Sequence, residues 1–199
     1  MDFTGFDETW TELKARGIVE LRRDDRTLLL GIDRARQPVD VVIGGSGPAD
    51  DVTVPCETGR IAAALEAVLH KLHLAPLHVL PAGRWREVFD AVSFGMAVHD
   101  AWSEIDSQAS LEQNTRDALT CGPRDLHLLR EFVRVLLADG EADAGQAVSI
   151  VATGQLVVAL VEPGRPVRLS LAGAGVAAQA RDAARHFLMG TSEGSPPHG

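Results

Sequence analysis

Two stretches of this chain echo one another. Residues 28–47, LLLGIDRARQPVDVVIGGSG, align without a gap on residues 156–175, LVVALVEPGRPVRLSLAGAG, at a constant offset of 128. Leu28/Leu156, Pro38/Pro166, Val39/Val167, Gly45/Gly173 and Gly47/Gly175 are identical, and most other pairs keep their apolar character. Each copy reads as strand, turn, strand and glycine stop between helical patterns. Self-similarity of this kind bears on the architecture before any single motif does.

The flanks extend the echo. Phe3, Phe6, Trp10 and Leu13 recur at helical spacing and Gly17 supplies a stop. Strand patterns follow at 18–22, 27–32 and 38–43, with Asp24-Asp25 as a tight turn. An amphipathic helix over 58–73 comes next, with Ile61, Leu65, Val68, Leu69 and Leu72 on one face. In the second half, Pro123 suits the first turn of a helix carrying Leu126, Leu129, Val133 and Leu136. Strand patterns at 147–152, 155–161 and 166–171 and a last helix over 176–189 complete the same order. Between the halves, Trp85, Val88, Phe89, Val92 and Met96 predict a helix. Residues 99–120 are ambiguous: Trp102, Glu104 and Asp106 alternate as in a strand, while 109–119 has helical character.

The expected fold is therefore α+β, made of two α-βββ-α units (1–75 and 123–190) whose antiparallel meanders are covered by helices. A mainly helical segment, 76–122, joins them, and 191–199, rich in Gly, Ser and Pro, is expected to be a disordered tail. The open face of each meander calls for a partner, either the other half through a pseudo-twofold or a second chain in a homodimer. The helix–meander–helix order resembles small secretion-chaperone-like domains at the level of fold, without a shared motif.

Composition narrows the function. A formal net charge of −9 over 199 residues argues against general nucleic-acid binding, which needs cations to replace phosphate counterions. The opening Met1-Asp2-Phe3 carries no signal-peptide pattern, and no apolar run approaches the ~20 residues that cross a bilayer. Two cysteines, Cys56 and Cys121, form no CxxC pair and are expected to be reduced thiols in or near the core. A cytoplasmic protein away from membranes is the expectation.

Each chemical motif lacks its required setting. Gly173-Ala174-Gly175-Val176-Ala177-Ala178 has the GxGxxA form of a dinucleotide fingerprint, but no strand with a ribose-binding acid follows. No cofactor is expected, and the glycines are read as allowing a helix to pack closely on the sheet. In Gly44-Gly45-Ser46-Gly47-Pro48, proline replaces the last glycine of a nucleophile elbow, which leaves a flexible loop. The arginines Arg22, Arg23, Arg26, Arg34 and Arg36 interleave with Asp24, Asp25 and Asp33 and read as a self-compensated strand edge.

Three constellations remain. His70 and His73 share a helix face, and His78 follows the turn at Pro76, which makes these three the candidate metal ligands. The middle segment holds His99, Asp100, Glu104, Asp106, Asn114, Arg116 and Asp117. Of these, His99, Glu104, Asp106 and Arg116 are the candidate acid/base set of a small enzyme. Arg84, Trp85, Arg86 and Trp102 combine the two residue types enriched at interface hot spots and are the candidate partner-binding residues. The leading expectation is an intracellular protein-interaction module, adaptor or chaperone-like, binding a protein partner or itself. The alternative is the small enzyme.

Overall fold

A computed structural model describes residues 1–23, 27–44, 57–112, 115–139 and 144–190. The chain is α+β. Its elements run β1 (Asp2–Thr4), α1 (Phe6–Arg16), β2 (Ile18–Arg23), β3 (Leu28–Ile32), β4 (Pro38–Ile43), α2 (Thr58–Lys71), β5 (Leu77–Pro81), α3 (Trp85–Met96) and α4 (Asp100–Glu112). Then follow β6 (Ala118–Cys121), α5 (Leu126–Ala138), β7 (Val148–Ala152), β8 (Val157–Val161), β9 (Val167–Ala172) and α6 (Ala174–Gly190).

Seven strands form one sheet in the order β1-β6-β5-β7-β8-β9-β4, every neighbouring pair antiparallel. The period of two along a strand sends alternate side chains to two different cores. Leu77 and Val79, Ile150 and Ala152, Ala159 and Val161, and Leu169 and Leu171 join the helices α2–α6 in the larger core. Leu80, Val151, Val158 and Ala118 meet Trp10 and Leu13 of α1 and Ile18, Leu28, Leu30 and Ile32 of a separate β2–β3 hairpin. The molecule is thus three layers: helices, sheet, and a hairpin backed by α1. Because both faces of β7 are covered, all five of its residues are buried, and four of them, Val148, Ile150, Val151 and Ala152, are apolar.

The strand positions read from the sequence hold, but the pairing implied by the echo does not. β8 and β9 form the expected hairpin through a tight turn in which Gly164 adopts φ 63°. Their counterparts β3 and β4 do not pair with each other. A 3-10 turn at Arg34–Arg36, capped by the Asp33 carboxylate and followed by Gln37 at φ 49°, carries the chain from the hairpin layer into the main sheet. There β4 takes the free edge of β9, with Val41 opposite Leu169. β3 instead buries Leu28, Leu30 and Ile32 over the outer face of β8 and β9, so the first copy is split between two layers while the second lies in one, and the internal duplication is not confirmed.

The middle segment also differs from expectation. It supplies α3 and α4, but also β5 and β6, which lie inside the sheet beside β7. Residues 100–112 are helical, with Trp102 and Ile105 turned inward three residues apart. That spacing satisfies a helix, and the strand-like alternation at 102, 104 and 106 does not survive it. Residues 191–199 and 45–56, the latter including Cys56 and most of the Gly44–Pro48 motif, lie outside the described residues.

Candidate binding groove between α2 and α6

Helices α2 and α6 lie side by side over the β4 end of the sheet. α2 commits Ile61, Leu65, Val68 and Leu69 to the core, and α6 commits Ala177, Ala180 and Ala184. What remains where the two helices face each other is small: Ala63 and Ala67 on one side, Ala183 on the other, with Phe187 at the end. Side chains that short cannot close the gap, and an open groove of about 760 Å³ results. The rim is polar, with Glu66, His70 and Lys71 on α2 and Gln179, Asp182 and His186 on α6. Glu66/His70 and Asp182/His186 are each one turn apart, so each helix presents one acid and one imidazole to the same opening.

The α2 side of the rim is anchored from behind. Arg130 on α5 donates from Nη1 to Glu66 Oε2 at 3.1 Å and from Nε to Glu131 Oε1 at 3.0 Å. Glu131 in turn accepts from Arg134 Nε at 2.8 Å. Burial disfavours the Glu131 carboxylate, yet the hydrogen bonds and positive charge of Arg134 and Arg130 outweigh it and hold its pKa below the usual value. Arg130 is held above its ordinary value: burial opposes the charge, while Glu131 and Glu66 more than compensate.

The three histidines read as possible ligands are not brought together. His70 and His73 are exposed at the end of α2 with ring centroids 6.4 Å apart. His78 alternates with the core-facing Leu77 and Val79 of β5 and so points to the opposite face of the sheet. Its Nδ1 lies 3.3 Å from Thr120 Oγ1, and burial lowers its pKa, partly offset by the charge of Glu12 on α1. Among the described residues, no group of three His, Cys, Asp or Glu side chains could hold a metal ion.

The acid/base candidates are dispersed as well. Glu104 and Asp106, two positions apart on α4, point to different sides of the helix. Arg116 directs Nε to the Gly83 carbonyl at 2.9 Å, and His99 buries Nε2 without a partner in the α3–α4 turn. None of the four lines the groove. Asn114 lies outside the described residues.

The tryptophans read as interface anchors belong to the core. Trp85 is 0% exposed and Trp102 2%. They stand in an aromatic column running Phe3, Trp85, Phe89, Trp102 and Phe132, with successive centroids 5.2–5.8 Å apart. Trp85 Nε1 donates to the Asp117 carbonyl at 2.6 Å, so its one polar atom is satisfied internally. A surface role cannot rest on either ring. Arg84 and Arg86 are exposed, the latter 4.0 Å from Asp90.

The glycines of the GxGxxA stretch also need a different account. A Cβ at Gly173 or Gly175 would meet nothing within 4 Å, so neither is required for close packing on the sheet. Gly173 is there for its φ of 100°, which turns β9 into α6. Cys121 is buried as expected, and burial, reinforced by Asp125, pushes its thiol pKa up to about 12.

Sequence reasoning passed over the groove residues because their signal is an absence. Alanines at 63, 67 and 183 look like ordinary helix formers until two helices place them opposite each other. No helix among the described residues is long and apolar enough to cross a membrane. No protein-family model, curated protein or solved structure matches the chain.

Proposed function

We propose that this chain is a cytoplasmic protein-interaction module whose α2/α6 groove receives an apolar, helix-forming segment of a partner protein. The observation that carries the reading is the alanine-floored gap between two otherwise well-packed helices. From Ala63 to Lys71 and from Gln179 to Phe187 each wall is nine residues long, about 12 Å of helix from first to last. That length accommodates roughly two turns of a third helix, whose apolar side chains would sit on Ala63, Ala67, Ala183 and Phe187. Helix-in-groove recognition uses this geometry, with anchors at i, i+3 or i+4 and i+7. The polar rim then sets orientation through Glu66, Lys71 and Asp182. The net charge of −9 supports a protein occupant over a nucleic acid.

The reading is tested by filling the gap. Ala67→Trp and Ala183→Trp occupy the groove from either wall, and circular dichroism verifies that each variant is folded. In a pull-down from native lysate, wild-type protein retains a stoichiometric partner that both variants lose, while an Ala183→Ser control keeps it. Amide shifts on titration with the partner's binding peptide fall on α2 and α6. Retention by both tryptophan variants, or shifts confined to other elements, overturns the groove as the binding site.

A further inference from the structure

The corner where α3 meets α4 carries a second feature, independent of the groove reading. α3 turns Trp85, Val88, Phe89, Val92 and Met96 into the core. Phe94 stands outside that stripe and is 96% exposed, and Val98, one turn on, is 78% exposed. The adjacent Gly95 is pressed against α5, so that even a Cβ there would lie 2.5 Å from Val135. Ala97, between the two large side chains, is exposed as well.

The charge around this corner is one-sided. Near the corner α4 presents the acids Asp100, Glu104 and Asp106 and carries no lysine or arginine, while the acids of α3, Glu87 and Asp90, share that helix with Arg86 and the N-cap Arg84. Arg86 is itself 4.0 Å from Asp90, while Asp100, Glu104 and Asp106 are exposed on α4.

We propose that Phe94 and Val98 form a docking patch for a cationic segment of another protein, whose apolar side chains pack against the two residues while its Lys or Arg residues face Asp100 and Glu104 of α4. Electrostatic complementarity selects this occupant. A second copy across a twofold would set the same acids against each other, at a cost of repulsion. An anionic lipid surface would be repelled by the same charge.

The test is a displayed library of random 12-residue peptides, selected on wild-type protein and counter-selected on Phe94→Ser. Both the Phe94→Ser and Asp100→Lys/Glu104→Lys changes lie on exposed positions, and circular dichroism verifies that each variant is folded. The expected result is a pool rich in Lys or Arg with at least two apolar residues. Its members shift amides on α3 and α4, weaken tenfold or more on either variant, and weaken further between 50 and 500 mM NaCl. The proposal is overturned if no peptide distinguishes wild type from Phe94→Ser, if the pool is acidic or uncharged, or if the shifts map to α2 and α6. It is also overturned by a dimer in light scattering that Phe94→Ser dissolves, or by Phe94-dependent binding to vesicles containing 30% phosphatidylserine.

Discussion

Arg130 on α5 reaches Glu66 on α2 with its Nη1 at 3.1 Å from Oε2, a contact between helices 64 residues apart in sequence. The same guanidinium holds Glu131, which holds Arg134, so one side of the groove rim is fixed by a chain of four alternating charges. The groove wall is consequently positioned by a helix that does not line it.

Arg130→Met keeps the aliphatic stem and removes the charge. Because the Arg130–Glu66 pair is only partly buried, the expected loss is modest, about 1 kcal/mol in urea denaturation. The more specific consequence is local. Amide hydrogen exchange of α2 around Glu66 increases while that of β7 and β8 is unchanged. A uniform increase across the protein would show that the chain of charges supports the fold as a whole and not the rim.

His78 and Glu131 make stability depend on pH in separate windows. His78 has a folded-state pKa below its unfolded value of about 6.5, so the unfolded chain takes up the proton first and stability falls as pH drops below that value. Glu131 has a folded-state pKa below the ordinary carboxylate range. Its contribution is complete above an unfolded pKa of about 4.3 and is lost as pH falls through the lower folded value. Thermal melts from pH 8 to 3 therefore fall in two stages. His78→Gln flattens the upper stage and Glu131→Gln the lower. If His78→Gln leaves the upper stage intact, another group titrates there.

Cys121 is buried with its thiol pKa near 12, which leaves almost no thiolate at neutral pH. In a Cys56→Ser background, the remaining thiol is expected not to react with a disulfide reagent at pH 8 over an hour. It should react within seconds in 6 M guanidinium chloride. Rapid labelling of the native variant would mean that the β6 end of the sheet opens readily.

Gly44 and Gly173 both adopt positive φ, 97° and 100°, but their surroundings differ. A Cβ at Gly44 would lie 2.6 Å from Ile61 on α2, whereas one at Gly173 would meet nothing within 4 Å. Gly173→Ala should cost only the left-handed strain, about 1–2 kcal/mol. Gly44→Ala adds a displacement of Ile61 to that strain and should cost more. Denaturation midpoints of the two variants, compared with Gly173→Asn as the mildest change, decide the order.

The readings that held are those written in nearest neighbours along the chain. The stripe of Ile61, Leu65, Val68 and Leu69 is complete within one helix, and the alternation of Val167, Leu169 and Leu171 within one strand. β1, β5 and β6 escaped notice because they are three to five residues long, and their partners lie far away in sequence. Leu77 pairs with Cys121 and Ala152, and Phe3 with Leu119. Glu104 and Asp106 looked like neighbours on a strand face, and helical geometry separates them. Trp85 and Trp102 looked like anchors because composition shows that a ring is present but not whether it is covered.

The same division runs through the functional surfaces. Phe94 was legible in principle, since it breaks the spacing of the α3 stripe. The alanine floor was not, because a gap exists only once two surfaces are opposed. The echo at 28–47 and 156–175 is a property of the sequence, and so are the strands inside it. Which of those strands pair was decided by tertiary structure alone. Period and turn chemistry act over a few residues and are encoded locally. Layer, edge and groove depend on burying apolar faces that the chain brings together from a hundred or more positions apart.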